Sequence, residues 1–260
     1  MAIKSVFLVA PAETTDAETG AAHFAIGLAK AHNAQITIFA VALDVTTPGR
    51  DTDVRSVAAS LASAADASGV PSTLVTEHSH ALGVHEVVAE HARLHDLSVI
   101  GNTSLGLLNE RMLAEYLMFE SGRPVIVVPD QHSTAFESGA LGVAWDNSAA
   151  AARALGDAIA LLEPEQIHFL TISGEKALPT DMDSEALVKV TKRRGVEADH
   201  KTASLSGGSI GSTLQQEATT AGSTLLVMGA YGHSRLRSFV LGSATADILK
   251  NNKMPTFLSH

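Results

Sequence analysis

Leu225-Leu226-Val227-Met228-Gly229 repeats an earlier run, Leu97-Ser98-Val99-Ile100-Gly101, at a distance of 128 residues. A second pair, Gln35-Ile36-Thr37-Ile38-Phe39 and Gln166-Ile167-His168-Phe169-Leu170, repeats at 131. Each half then closes on an apolar run after proline, Pro124-Val125-Ile126-Val127-Val128 in one and Pro255-Thr256-Phe257-Leu258 in the other. Self-similarity at such a spacing marks a duplicated folding unit and has to be found before any motif inside it is read. Within each copy, short apolar runs bounded by turn residues read as buried strands, and the stretches between them carry helical period. Their alternation predicts an α/β chain of two tandem Rossmann-like open parallel sheets, each of about five strands with helices on both faces.

In the first half the expected strands are Ser5 to Ala10, Ala34 to Val41, Ser72 to Glu77, Leu97 to Ile100 and Val125 to Val128. In the second they are Leu141 to Trp145, Gln166 to Ile172, Ala198 to Ser204, Thr224 to Met228 and the run after Pro255. Helices are expected from Ser148 to Leu162, with Leu155, Ile159 and Leu162 on one face, from Glu185 to Arg194, ended by Gly195, and from Ile210 to Ala221. The seam falls between Asp130 and Gly139, where Gln131-His132-Ser133-Thr134 and Ser138-Gly139 are polar. The domains are therefore set at residues 1–132 and 139–260.

Composition narrows the function. Of 260 residues, 45% are apolar and 18% charged, enough to build a core and too apolar for a disordered chain. Acidic residues outnumber Lys and Arg 28 to 18, which argues against a phosphate-backbone partner such as nucleic acid. With no cysteine there is no disulfide, thiol chemistry or cysteine-ligated zinc, as fits a reducing cytoplasm. The apolar runs fall far below the ~20 residues of a membrane span, and the start, Met1-Ala2-Ile3-Lys4 before Ser5 to Ala10, reads as a first strand rather than a signal peptide.

The fourth strand of the second half ends in Gly229, followed after two residues by Gly232 and after nine more by Gly242-Ser243-Ala244-Thr245. Open α/β sheets bind ligands beyond the carboxyl ends of their strands, where this segment must lie. Glycines there let bare N–H groups approach a ligand. The run from Gly242 opens a helix carrying Ile248 and Leu249, and a helix N-terminus attracts an anion. Ser243 and Thr245 add hydroxyls, while Arg235 and Arg237 lie in the intervening segment. The plainer alternative is two glycine turns and a helix capped by Ser243.

The stretch from Met228 to Thr245 resembles the universal stress protein family, whose ATP-binding members carry Gly, two residues, Gly, nine residues, Gly and a small or hydroxyl residue at this place. Val143-Ala144-Trp145-Asp146-Asn147-Ser148 is similar to the family's first strand and its Asp-x-Ser turn. The resemblance implies that Asp146 reaches the adenosine part of a nucleotide, that the backbone at the strand end, Thr171 and Ile172, meets the adenine edge, and that ATP is held with Mg²⁺ on its phosphates. From the residues alone, Asp146 or Ser148 is equally an N-cap. The expected ligand-binding set is Asp146, Ser148, Ile172, Gly229, Gly232, Arg235, Gly242, Ser243, Ala244 and Thr245, with no catalytic residue and no protein-ligated metal.

Alignment of the halves on their prolines puts Arg111 and Met112 at the places of Gly242 and Ser243, and Ala114 opposite Thr245. The first strand ends in Ala10-Pro11-Ala12 without an Asp-x-Ser turn. The first half is accordingly expected to keep the fold and to lack the nucleotide site. Gly101 and Gly106 have the outer spacing of a Walker loop, but Leu107-Leu108 stands where Lys and Ser or Thr are needed.

Other groupings read more simply. His78, His80, His85, His91 and His95 cluster, and His91 and His95 share a helix face, yet no further signature makes them a zinc or nickel site rather than a polar face. Ser206-Gly207-Gly208-Ser209 is read as the start of the Ile210 helix, not as a pyrophosphatase loop. Trp145, Tyr116 and Tyr231 are too few for a surface that stacks single-stranded RNA.

The resemblance implies a cytoplasmic tandem protein whose second half binds ATP as a stress signal, with an intramolecular pseudo-dimer of the halves and room for a homodimer. A slow ATPase or phosphotransferase and a scaffold that binds no nucleotide remain the alternatives.

Overall fold

The computed structural model describes residues 2–10, 20–43, 54–80, 82–101, 110–173, 184–205, 208–230 and 243–260. It divides into two compact units, Met1–Glu137 and Ser138–His260. The first runs β1 (Ser5–Val9), α1 (Gly20–Ala31), β2 (Gln35–Leu43), α2 (Val54–Ala67), β3 (Ser72–Ser79), α3 (Val84–Ala92), β4 (Leu97–Ile100), α4 (Glu110–Tyr116) and β5 (Val125–Val127). Between α4 and β5 the helix widens into a π-helical turn, Leu117–Ser121. The second runs β6 (Ala140–Ala144), α5 (Ala149–Leu162), β7 (Gln166–Ser173), α6 (Ser184–Lys192), β8 (Glu197–Ser204), α7 (Ile210–Thr220), β9 (Leu225–Gly229), α8 (Ser243–Lys250) and β10 (Thr256–Ser259).

All pairings within each unit are parallel. The strand orders are β3-β2-β1-β4-β5 and β10-β9-β6-β7-β8, one topology twice. Parallel strands need crossovers, and the helical stretches between apolar runs supply them. In the second unit the order reverses between β6 and β9, registered Leu141 to Leu225 and Val143 to Val227, so the ligand crevice of an open sheet belongs outside the ends of these two strands.

Burial follows position in the sheet. β1, β4 and β9 read Phe-Leu-Val, Leu-Ser-Val-Ile and Leu-Leu-Val-Met because both faces are covered, and Phe7, Leu97, Val99, Leu225 and Val227 are wholly buried. Each such side chain stabilises the fold by about 1.5–3 kcal/mol. The edge strands β3 and β8 carry Thr, Glu, Asp and Lys; β3 is mostly half-buried and β8 mostly exposed. Gly195 takes φ 83 after α6, as its place behind a helix requires.

Within the polar stretch of 130–139, residues 132–136 pack on α1. Phe136 is 7% exposed and meets Phe24 edge-on at 5.5 Å; His132 meets the same ring at 5.6 Å. Gly27 makes the approach feasible, since a Cβ there would lie 2.8 Å from Ala135 Cβ and from Phe136 N. Among the described residues no helix is long and apolar enough to cross a membrane.

Candidate functional site

The site is built outward from the end of β6. Trp145 N donates to the Leu170 carbonyl at 2.8 Å, and the Trp145 carbonyl accepts from Thr171 Oγ1 at 2.8 Å. The chain then turns: Asp146 Oδ1 accepts from Ser148 N at 3.0 Å while Asn147 takes φ 60. Asn tolerates that left-handed region better than most residues. Ser148, extended at φ −82 and ψ 159, caps α5 by accepting from Ala151 N at 3.1 Å. The Asp-x-Ser turn is thus a self-contained Asx turn and N-cap, and Asp146 remains exposed at its tip.

Gly229, at the end of β9, touches the first turn of α5. A Cβ there would collide with the Ala150 carbonyl and lie 2.5 Å from Ala151 N. Glycine is needed at this point because a helix backbone crosses the strand end. This close packing brings the Gly229 backbone against the helix turn that Ser148 caps. Ala230 continues buried, donating to the Ser259 carbonyl at 2.8 Å and accepting from His260 Nδ1 at 3.0 Å.

Ile172 is half-buried on β7, in register with Ala203 of β8. One residue earlier, Thr171 is 1% exposed and contacts His200 Nε2 at 2.9 Å. The one hydroxyl proton of Thr171 goes to the Trp145 carbonyl, so the imidazole must donate and carries its proton on Nε2. Burial holds the His200 pKa below the ordinary imidazole value, with Asp199 pulling the other way. The chain His200–Thr171–Trp145 ties β8 and β7 to the last residue before Asp146.

At the other end, α8 begins at Ser243; Ala244 is half-buried and Thr245 is 2% exposed. Gly232, Arg235 and Gly242 lie outside the described residues, as does the Ser243 side chain. Ser209 caps α7 with a reciprocal box to Ser212, as read for that loop, and its Oγ donates to Asp247 Oδ2 on α8. Gly211 brings α7 close to α8: a Cβ would lie 2.5 Å from Asp247 Oδ2 and 3.1 Å from Ile248 N. Gln215, 3% exposed, accepts from Lys253 N at 2.6 Å and donates to the Asn251 carbonyl at 3.1 Å.

Thr171 stands beside Ile172 at the strand end that the sequence marks, whereas no motif marks His200, Gly211 or Gln215. Gln215 had a signal, a polar residue in the stripe Gly211, Leu214, Gln215, Ala218 that one helix face buries. Two of the clustered histidines of the first unit, His91 and His95, have other partners. His95 Nδ1 donates to the His91 carbonyl at 2.9 Å and its Nε2 meets Thr37 Oγ1 at 2.9 Å; His91 faces Glu77 at 3.5 Å. Among the described residues no three His, Asp or Glu side chains converge as a metal nest.

The universal stress protein family model matches residues 139–260. The chain carries a universal stress protein domain. Over its full length it is similar to the crystal structure of a universal stress protein from Archaeoglobus fulgidus DSM 4304, at 15% identity and TM-score 0.72, covering 97% of each chain. A functionally unknown protein from Pseudomonas aeruginosa PAO1 matches at 11% identity and TM-score 0.63, covering 99% of this chain and 92% of that one. A universal stress protein solved in complex with cAMP overlays on 49% of this chain and 97% of its own, with 18% identity and TM-score 0.37. No curated protein sequence matches significantly. The unit preceding the universal stress protein domain shares its topology, strand for strand.

Proposed function

We propose that the universal stress protein domain binds an adenine nucleotide, ATP with Mg²⁺, and that its occupancy is a regulatory signal in a cytoplasmic stress response. The observation that carries this reading is where the described residues on either side of the glycine-spaced segment lie. On one side β9 ends at Gly229, beside the strand-order reversal and the capped end of α5, and on the other α8 begins at Ser243. Unpaired N–H groups at that terminus and the positive end of the helix dipole suit a phosphate. In this reading Asp146, exposed on its turn, takes the ribose side, and the Ile172 backbone borders the base. Gly232 and Gly242 admit the phosphate chain, and Arg235, Ser243 and Thr245 add charge and hydrogen bonds. The cation would be carried on phosphate oxygens, as Mg²⁺ commonly is with a nucleotide.

The unit before it has the fold without these residues: Arg111 and Met112 stand in the places of Gly242 and Ser243. We assign it a structural role.

Denaturing the purified protein and analysing the supernatant by mass and absorbance tests the reading directly, with added Mg·ATP titrated by calorimetry if nothing is released. Released adenine nucleotide, or saturable binding of one ATP per chain, is expected. An empty protein with no affinity for ATP or AMP would favour the scaffold.

A further inference from the structure

Gln215 is the one amide side chain that α7 buries among its apolar contacts, and it reaches out of its own helix. Its Nε2 donates to the Asn251 carbonyl at 3.1 Å, with a longer contact to the Gly211 carbonyl at 3.4 Å, and its Oε1 accepts from Lys253 N at 2.6 Å. The Asn251 carbonyl, just past the end of α8, belongs to the groups a helix terminus leaves unpaired. The amide therefore completes the end of α8 while fastening it to α7.

Two further contacts fix the middle of α8. Ser209 Oγ donates to Asp247 Oδ2, and the missing side chain of Gly211 lets Ile248 N come within 3.1 Å of where its Cβ would be. An α8 of eight residues is a rod of roughly 12 Å. Held at its centre and its far end, such a rod has one direction left for its N-terminus. Ser243 and the N–H groups behind it are thereby aimed by α7. The corresponding sixth residue of α3 in the first unit is Ala89, which has no amide to offer.

We infer that Gln215, with Gly211, is a positioning residue for the phosphate end of the nucleotide site: it touches no ligand and sets where the α8 N-terminus points. This inference rests on the nucleotide reading above. It differs from a general contribution to stability in one measurable respect. Misaiming α8 weakens only the part of the affinity that the phosphates supply, because the adenosine side is built separately on β6, β7 and α5.

The test compares Mg·ATP, titrated by calorimetry, with adenosine, followed by ligand-observed NMR. In Gln215→Met, which keeps volume and removes all three amide hydrogen bonds, ATP affinity should fall about tenfold while adenosine affinity stays at the wild-type value. Should that variant fail to fold, Gly211→Ala is read in the same way, its Cβ forcing Ile248 outward. Equal losses for the two ligands, or an unchanged ATP affinity, would overturn the positioning role alone. A wild-type protein that takes up neither ligand would overturn the nucleotide reading, and this inference with it.

Discussion

In α7 the second helical residue is Gly211, and α8 lies so close that Asp247 Oδ2 would be 2.5 Å from a Cβ there. In α3 the second residue is His85, and its ring lies on Tyr116 of α4 with centroids 4.1 Å apart. Alignment of the halves on their prolines pairs Tyr116 with Asp247, so one helix seam has been closed twice by different means. Downstream, α8 ends on the Gln215 amide, while α4 widens into a π turn where Ser121 Oγ donates to the Leu117 carbonyl and Arg93 Nε reaches the Glu120 carbonyl at 3.0 Å. The topology survives both arrangements, so the backbone-tight seam is not what the fold demands. Rings on rotatable side chains allow adjustment, and a glycine contact backed by a buried amide allows little. The tighter seam occurs in the unit whose helix opens with the glycine motif.

Exchanging residues between the units tests this contrast. The largest effect is expected from Gly242→Arg, which gives the second unit the residue that stands in the first: calorimetry should show ATP affinity falling roughly a hundredfold, with circular dichroism unchanged. Next comes Gly211→His, which forces the first unit's imidazole into the closed seam. Overpacking against Asp247 and Ile248 should cost about 2 kcal/mol in urea unfolding. Cutting the opposite seam with His85→Ala should cost about 1 kcal/mol, the scale of a lost ring pair, and leave nucleotide affinity alone. Ser148→Ala, which removes the α5 cap, is expected to cost about 1 kcal/mol and to loosen the Asp146 turn, seen as faster amide exchange at Ala151.

A milder contrast is expected with acid. His95 and His132 in the first unit and His200 in the second are all held below the ordinary imidazole pKa, chiefly by burial. A folded pKa below the unfolded one means the unfolded chain takes up the proton first. The contribution is complete above the unfolded value of about 6.5 and is lost as pH falls from there through the folded values. With two of the three groups in the first unit, its amides should lose protection before those of the second. His95→Gln should blunt that loss; equal loss in both units would remove the contrast.

The strands were legible because central strands of a parallel sheet are apolar on both faces, so Leu225 to Met228 and Val125 to Val128 stand out without any partner in view. Helix boundaries agree to within a residue or two where a cap or glycine marks them, as at Ser148 and Gly195. Gly229 could be marked as necessary from spacing, but not that α5 is what presses on it. His200 and Thr171 meet only through the register of β7 on β8, which no local pattern encodes. The histidine cluster looked alike in sequence, whereas in space His85 stacks on Tyr116, His91 turns to Glu77 and His95 to Thr37.

The hold of Phe136 on Phe24 decides where the two units may be severed. Cleavage after residue 132 would strip α1 of an aromatic cover and leave Phe24 facing water, a sticky spot prone to self-association. Scission between Glu137 and Ser138 keeps that lid with its owner, and there the halves have their best prospect of being produced apart and compared singly.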